Sequence, residues 1–410
     1  MLKLTAPYLA LTLALGLLPT TTTSAQSESA AATDWAQWRG PTRNGVTPET
    51  GWAKSWPKVK LKRAWASNVG VGYAAVSLQS DKLAITAGFR GGQDTVYCFD
   101  AKSGKPRWSY SYRAKKYDNM NAGGPAATPS VVDGRVYTIS REAQMYAFDA
   151  KKGKVLWTKD LRKELGARIP QWGFSGSTLI EDGKLYVDVG VIACYDAKSG
   201  KRRWATRNYG SAYSSPVSYT REGKTYLVCF PALGLVVLDL KSGKEVCNYR
   251  WKTNYDVNAA TPLIRGDEMF ISSGYGTGAA MVRFDGSSLT EMWKNRSMRN
   301  HMASCVRLGD HLYGFDESQL KCLNAKDGKV LWSQRGLGKG ALIMAGDKLV
   351  VLSDKGELLL ADASPEGFKP VLKERVFRGR VSGAWSAPVL SHDRVYVRSP
   401  QGEVVALTIK

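Results

Sequence analysis

"VYCFDAKSGKPRW", residues 96–108, is the stretch whose reading decides the fold. An apolar run leads into Asp100, a Lys-Ser-Gly-Lys turn follows, and a lone tryptophan closes the segment. Close copies recur as "MYAFDAKKGKVLW" (145–157), "IACYDAKSGKRRW" (192–204) and "VVLDLKSGKEVCNYRW" (236–251). Weaker ones follow as "VRFDGSSLTEMW" (282–293), "KCLNAKDGKVLW" (321–332) and "LLADASPEGFKPVLKERV" (359–376). Ser-Gly-Lys alone would suit a phosphate grip, but a turn repeated this often is scaffold. Asp bonds turn amides, Gly takes positive φ, and Lys points to water.

The recurring tryptophans, Trp108, Trp157, Trp204, Trp251, Trp293 and Trp332, lie 49, 47, 47, 42 and 39 residues apart. A period of about 40–50 residues built from strand-type sequence points to a propeller. One period reads as a four-stranded meander: "ATPSVV", turn "DGR", "VYTIS", turn "REAQ", "MYAFDA", turn "KKG", "KVLWTK". Gly or Asp at each turn and alternating apolar residues fit antiparallel hairpins, and no segment shows a helical period. The last copy, "SAPVLSHDRVYVRSPQGEVVALTIK", stops after its third strand. "LKRAW" (61–65) stands near the front as an orphan fourth strand carrying Trp65. If it completes the final blade, both exposed edges disappear. The expectation is an all-β, eight-bladed β-propeller of four-stranded antiparallel blades, closed by strand 61–65. Trp65 and the six recurring tryptophans would join blade to blade, each burying a large apolar area.

Outside the repeats, residues 1–25 read as an export signal, with Lys3, the apolar core "YLALTLALGLL" and small residues at 23–25. The apolar run is too short for a membrane span. Residues 26–33 read as a flexible linker, 34–60 as an N-terminal strap and 61–410 as the propeller. The expected location is exported, periplasmic or extracellular, and soluble. Six cysteines show no C-x-x-C pair, so zinc spacing is absent and small buried core residues are expected. The net charge of +22 would ordinarily suggest nucleic acid. Export argues against that and leaves anionic glycans, lipid headgroups or an acidic protein, or else a solvated basic rim.

The motif D-x-x-[ST]-G-K-x-x-W resembles the tryptophan-docking repeat of pyrroloquinoline quinone (PQQ) enzymes and their non-catalytic relatives. "WAQWRGPTRNGV" (35–46) resembles the N-terminal segment of secreted PQQ-like repeat proteins, so the resemblance covers roughly 35–410. It implies tryptophans lying flat between neighbouring blades. Outer-membrane assembly propellers resemble the chain in length and blade number but carry a lipidated cysteine that it lacks. Quinoprotein alcohol dehydrogenases are longer and carry an adjacent Cys-Cys pair, which is also missing here.

In such a meander the first-to-second and third-to-fourth turns share one face of the disc, and these are short and uniform. The blade connections and second-to-third turns share the other face and vary, as recognition loops do. The connections would set Tyr73, Trp172, Phe174, Tyr213, Asn258, His301, Lys339 and Trp385 around one mouth of the channel. The second-to-third turns would add Arg90, Arg141, Asp188, Tyr275 and Asp316. H-E-x-x-H, G-x-S-x-G and EF-hand motifs are absent. The leading expectation is a non-catalytic, monomeric ring that binds a protein, peptide or glycan there, with no metal and no cofactor. The alternative is a quinoprotein oxidoreductase holding PQQ and Ca²⁺, with Asp188 or Asp256 as base and Arg90, Arg141 and Lys339 on the quinone carboxylates. A glycan-processing enzyme using two funnel carboxylates is a third reading that no motif supports.

Overall fold

The computed structural model describes Met1 and residues 34–410; the expected export signal and linker lie outside the described residues. Eight antiparallel sheets follow one another around an axis, forming an eight-bladed propeller. Blades 1 to 7 cover 77–113, 130–160, 179–208, 217–250, 263–295, 306–334 and 341–375. Blade 8 takes three strands from the C-terminal end and its outermost from Leu61–Asn68, which pairs with Glu403–Ile409. First and last parts of the chain thereby share one ladder, and the ring has no open end.

Local chemistry explains the hairpins. Asp133-Gly134, Asp182-Gly183 and Glu222-Gly223 all have positive φ at both positions. That is the type I′ geometry whose twist matches the flanking strands. At the third-to-fourth turn, Asp100 Oδ1 accepts from the Ser103 amide and hydroxyl, and Asp196 does the same with Ser199. The only α-helix among the described residues, Leu161–Leu165, escaped the period analysis because it is one turn long. Asp160 caps its N-terminus through the Arg162 and Lys163 amides, and Gly166 ends it in the left-handed region.

Blade junctions repeat one contact. Trp65, Trp108, Trp157 and Trp293 each donate Nε1–H to a carbonyl in the next blade's turn, namely Ala101, Ala150, Ala197 and Ala325. Trp332 does so to Ser364, while Trp204 lays its ring against Gly243 without that bond. The fit requires glycine beneath the ring: a Cβ at Gly104 would lie 2.6 Å from Trp65. Trp251 is a correction to the sequence reading. The docking tryptophan sits opposite a third-strand residue, as Trp204 does opposite Cys194, and in blade 4 that position is Cys247, opposite Val237. Trp251 lies four residues further on, past the strand end, buried and bonded through Nε1 to Ser273 Oγ. Five of the six cysteines are buried and all are free thiols.

Residues 34–60 cross the axis on the uniform-turn face. Trp35 and Ala36 carbonyls accept amides of Leu78 and Val131 in blades 1 and 2. Gln37 and the buried Arg43 bond blade 3 at Ile180 and at Ser177 and Thr178. Trp38 reaches Thr261 in blade 5 and the buried Arg39 reaches Cys305 beside blade 6. Val46–Thr47 adds a parallel strand to blade 7, and Glu49 accepts the His392 and Asp393 amides in blade 8. One segment therefore ties seven blades together and closes one end of the channel.

Candidate functional site

The small residues that precede each inner strand form a belt of hydroxyl bonds around the axis. Ala75 N donates to Thr128 Oγ1, Thr128 N to Ser177 Oγ, and Ser177 N to Ser215 Oγ. Across the ring, Thr261 N donates to Ser304 Oγ and the Ser386 hydroxyl to Tyr73 O. Short side chains let the inner strands converge, and each hydroxyl satisfies a neighbouring blade's backbone. Above this belt opens a cavity of about 430 Å³, with Trp38 of the N-terminal segment among its lining residues.

Eight residues expected at the mouth line this funnel: Tyr73, Arg141, Trp172, Tyr213, Tyr275, His301, Lys339 and Trp385. Tyr73 and Trp385 stack with centroids 5.3 Å apart, and Trp385 Nε1 donates to Asp354 Oδ1 at 2.9 Å. Trp172 is anchored by its Nε1–H to Asn119 O at 3.0 Å. From there a chain of ring contacts runs through Tyr255 and Tyr275 to His301, while Tyr213 flanks Trp172 on its other side. Burial pushes the Tyr213 hydroxyl up to about 12 and lowers Arg141 to about 10. The Arg141 guanidinium is held by the Gly124 and Trp172 carbonyls, not by a carboxylate.

His301 begins the one ionic cluster at this wall. Its Nδ1 lies 2.8 Å from Lys339 Nζ, and Glu317 Oε2 lies 3.1 Å from Lys339 and 3.5 Å from His301. The His301 hydrogen bond, helped by the Lys339 charge, lowers Glu317 to about 2, so it stays ionised. The sequence pointed to Asp316, one residue away. Asp316 is instead buried, held by Arg299 and Lys321. Trp38, Met120 and Glu317 were not expected at the site.

Other expected residues are placed elsewhere. Phe174 is buried in the core between blades 2 and 3. Asn258 is fully buried, bonding Thr253, Ser273 and the Pro231 carbonyl, so it braces the loop beneath the mouth. Arg90 is exposed and donates to Asn68. Asp188 accepts the Gly190 amide at 2.9 Å, burial pushing it up to about 7, and it does not line the cavity. Asp256 pairs with Lys252 at 2.6 Å beside a separate depression near Tyr209 and Trp251.

The family model for outer membrane protein assembly factor BamB matches residues 92–334 and 316–410. The chain belongs to the BamB family. Its fold is similar to that of BamB from Moraxella catarrhalis, at 16% identity and TM-score 0.63 over 85% of this chain and 100% of that one. It is similar too to a europium-containing methanol dehydrogenase, at 12% identity and TM-score 0.72 over 92% of this chain and 98% of that one. A quinohemoprotein alcohol dehydrogenase from Comamonas testosteroni gives 12% identity and TM-score 0.68 over 93% and 81%. No curated protein sequence matches the chain.

A BamB-family ring with dehydrogenase-like neighbours raises the question of whether the funnel suits a quinone and calcium. Calcium takes six to eight oxygen ligands, carboxylates prominent among them. Among the described residues no carboxylate lines this cavity, and Glu317 at its edge is already paired. Among the described residues no three of His, Cys, Asp and Glu converge to hold a metal ion. Arg90 lies away from the funnel, the carbonyls engage Arg141, and Lys339 is already paired with Glu317 and His301, so none of the three expected cations is free for quinone carboxylates. The residues present do not fit the pair.

Proposed function

We propose that this BamB-family propeller is a non-catalytic scaffold, exported to the periplasm or beyond as a monomeric ring. Its funnel would hold an apolar or aromatic segment of a partner polypeptide. The observation that carries this reading is the pair Met120 and Tyr255, 89% and 63% exposed at the mouth. They continue the aromatic wall outward onto the surface, where a small ligand would not reach them and a polypeptide would.

A photo-crosslinking residue in place of Met120 should give a polypeptide adduct in cells. The triple variant Trp172→Ala, Tyr213→Ala, Trp385→Ala should reduce it at least roughly tenfold, since buried aromatic anchors dominate interface energy. Circular dichroism should be unchanged. No adduct, or one indifferent to the triple variant, would exclude a polypeptide in the funnel. In parallel, PQQ with Ca²⁺ should produce no saturable absorbance change; a saturable one would restore the oxidoreductase reading.

A further inference from the structure

On the face opposite the funnel, the third-to-fourth turns divide their charge unequally around the ring. In the D-x-x-x-G-K turns of blades 1 to 4 the carboxylates are occupied within the turn. Asp149 Oδ1 accepts the Lys151 and Lys152 amides, and Asp239 Oδ1 accepts from Ser242, as Asp100 and Asp196 do in theirs. Asp100 and Asp196 also pair with Arg107 and Arg203, which holds both well below the usual carboxylate range. The lysines project outward. Lys105, Lys152, Lys154, Lys198, Lys201 and Lys244 are all exposed, and among the described residues none forms an ion pair with a carboxylate. Blades 5 to 7 differ. Blade 5 has Gly-Ser-Ser at this turn, blade 7 has Ser-Pro-Glu-Gly, and in blade 6 Lys326 and Lys329 pair with Asp310 and Asp327.

We propose that this lysine arc docks the disc flat on an anionic lipid surface. Equivalent turns sit at the same depth in each blade, so the lysines of four consecutive blades end in one plane along a curve. A planar array of headgroup phosphates meets all of them at once. A straight nucleic-acid duplex would cross the arc and reach only part of it, and a small anion would need a concavity that short hairpins do not make. Lysine suits the task, because a hydrated point charge on a flexible stem follows a diffuse field, whereas arginine favours fixed bidentate partners. Each lysine near an anionic leaflet adds attraction that decays within a Debye length. Docked this way, the disc keeps its funnel turned away from the lipid.

Protein recovered after export should float with phosphatidylglycerol–phosphatidylcholine vesicles and not with phosphatidylcholine alone. Changing the six lysines to glutamine should weaken binding roughly 100-fold or more, and rising salt should do the same. Removing six cations from the rim and mouth side, among them Lys115, Lys163 and Arg296, should have a far smaller effect. Equal losses in the two variants would show that net charge alone acts. Equal flotation with phosphatidylcholine, or equally tight capture of a short DNA duplex or polyglutamate through the same lysines, would also overturn the proposal. The funnel is untouched in both variants, so this result and the Met120 crosslink fail independently.

Discussion

Trp65→Ala should lower the unfolding free energy by about 3–5 kcal/mol, the range for removing a buried aromatic. Trp65 is 7% exposed and packs against Phe99 and Tyr396, each with ring centroids 5.9 Å away. Its Nε1 bonds Ala101 in blade 1 while its strand completes blade 8, so one side chain holds the two ends of the ring together. Arg398 reinforces the same seam, reaching from blade 8 to the Gly70, Ala74 and Ala87 carbonyls. Trp65→Phe should recover most of the packing and lose only the hydrogen bond, about 1 kcal/mol. Urea unfolding followed by circular dichroism gives both numbers. A cost below about 0.5 kcal/mol for Trp65→Ala, the upper end of an ordinary surface substitution, would mean that the strand ladder alone closes the ring.

The architecture was legible because a blade is a local object: four strands and three turns within one period, each marked by Asp, Gly or tryptophan. Blade 8 was legible through the strand it lacks. Trp251 was misread because spacing along the chain was used where cross-strand register decides, and only pairing with Val237 reveals Cys247 at that position. The funnel was partly legible for the same local reason, since every connection reaches the mouth at an equivalent place. What position along a connection does not give is which way a side chain turns. Phe174 and Asn258 turn into protein, and the long hairpin Leu83–Arg90 to Gln93–Asp100 places Arg90 at its tip, beside Asn68. Trp38 could not be found from the repeats, because it arrives along the axis from a segment outside them.

Asp94→Asn should flatten the dependence of stability on pH. Asp94 is 1% exposed in blade 1, with neither carboxylate oxygen hydrogen-bonded, and burial pushes it up to about 7 against an ordinary 3.8. Arg141 lowers it and Glu142 raises it, with a further lowering from Arg398, but desolvation outweighs them all. Between about pH 4 and 7 the folded protein therefore keeps a proton that the unfolded chain has released. Stability falls as pH rises through that window, by roughly 4 kcal/mol when the shift is complete. Asp188, pushed to about 7 by burial, changes in the same direction, so the comparison must be with the single variant. Asparagine keeps the shape and has no proton to lose. In urea unfolding it should match the wild type near pH 4 and exceed it by a few kcal/mol at pH 8. Parallel pH curves for the two proteins would show that Asp94 holds no such charge. The carboxylate's field acts on Arg141, so its ionisation also reaches the funnel wall, and partner binding measured across the same window should differ between the two proteins.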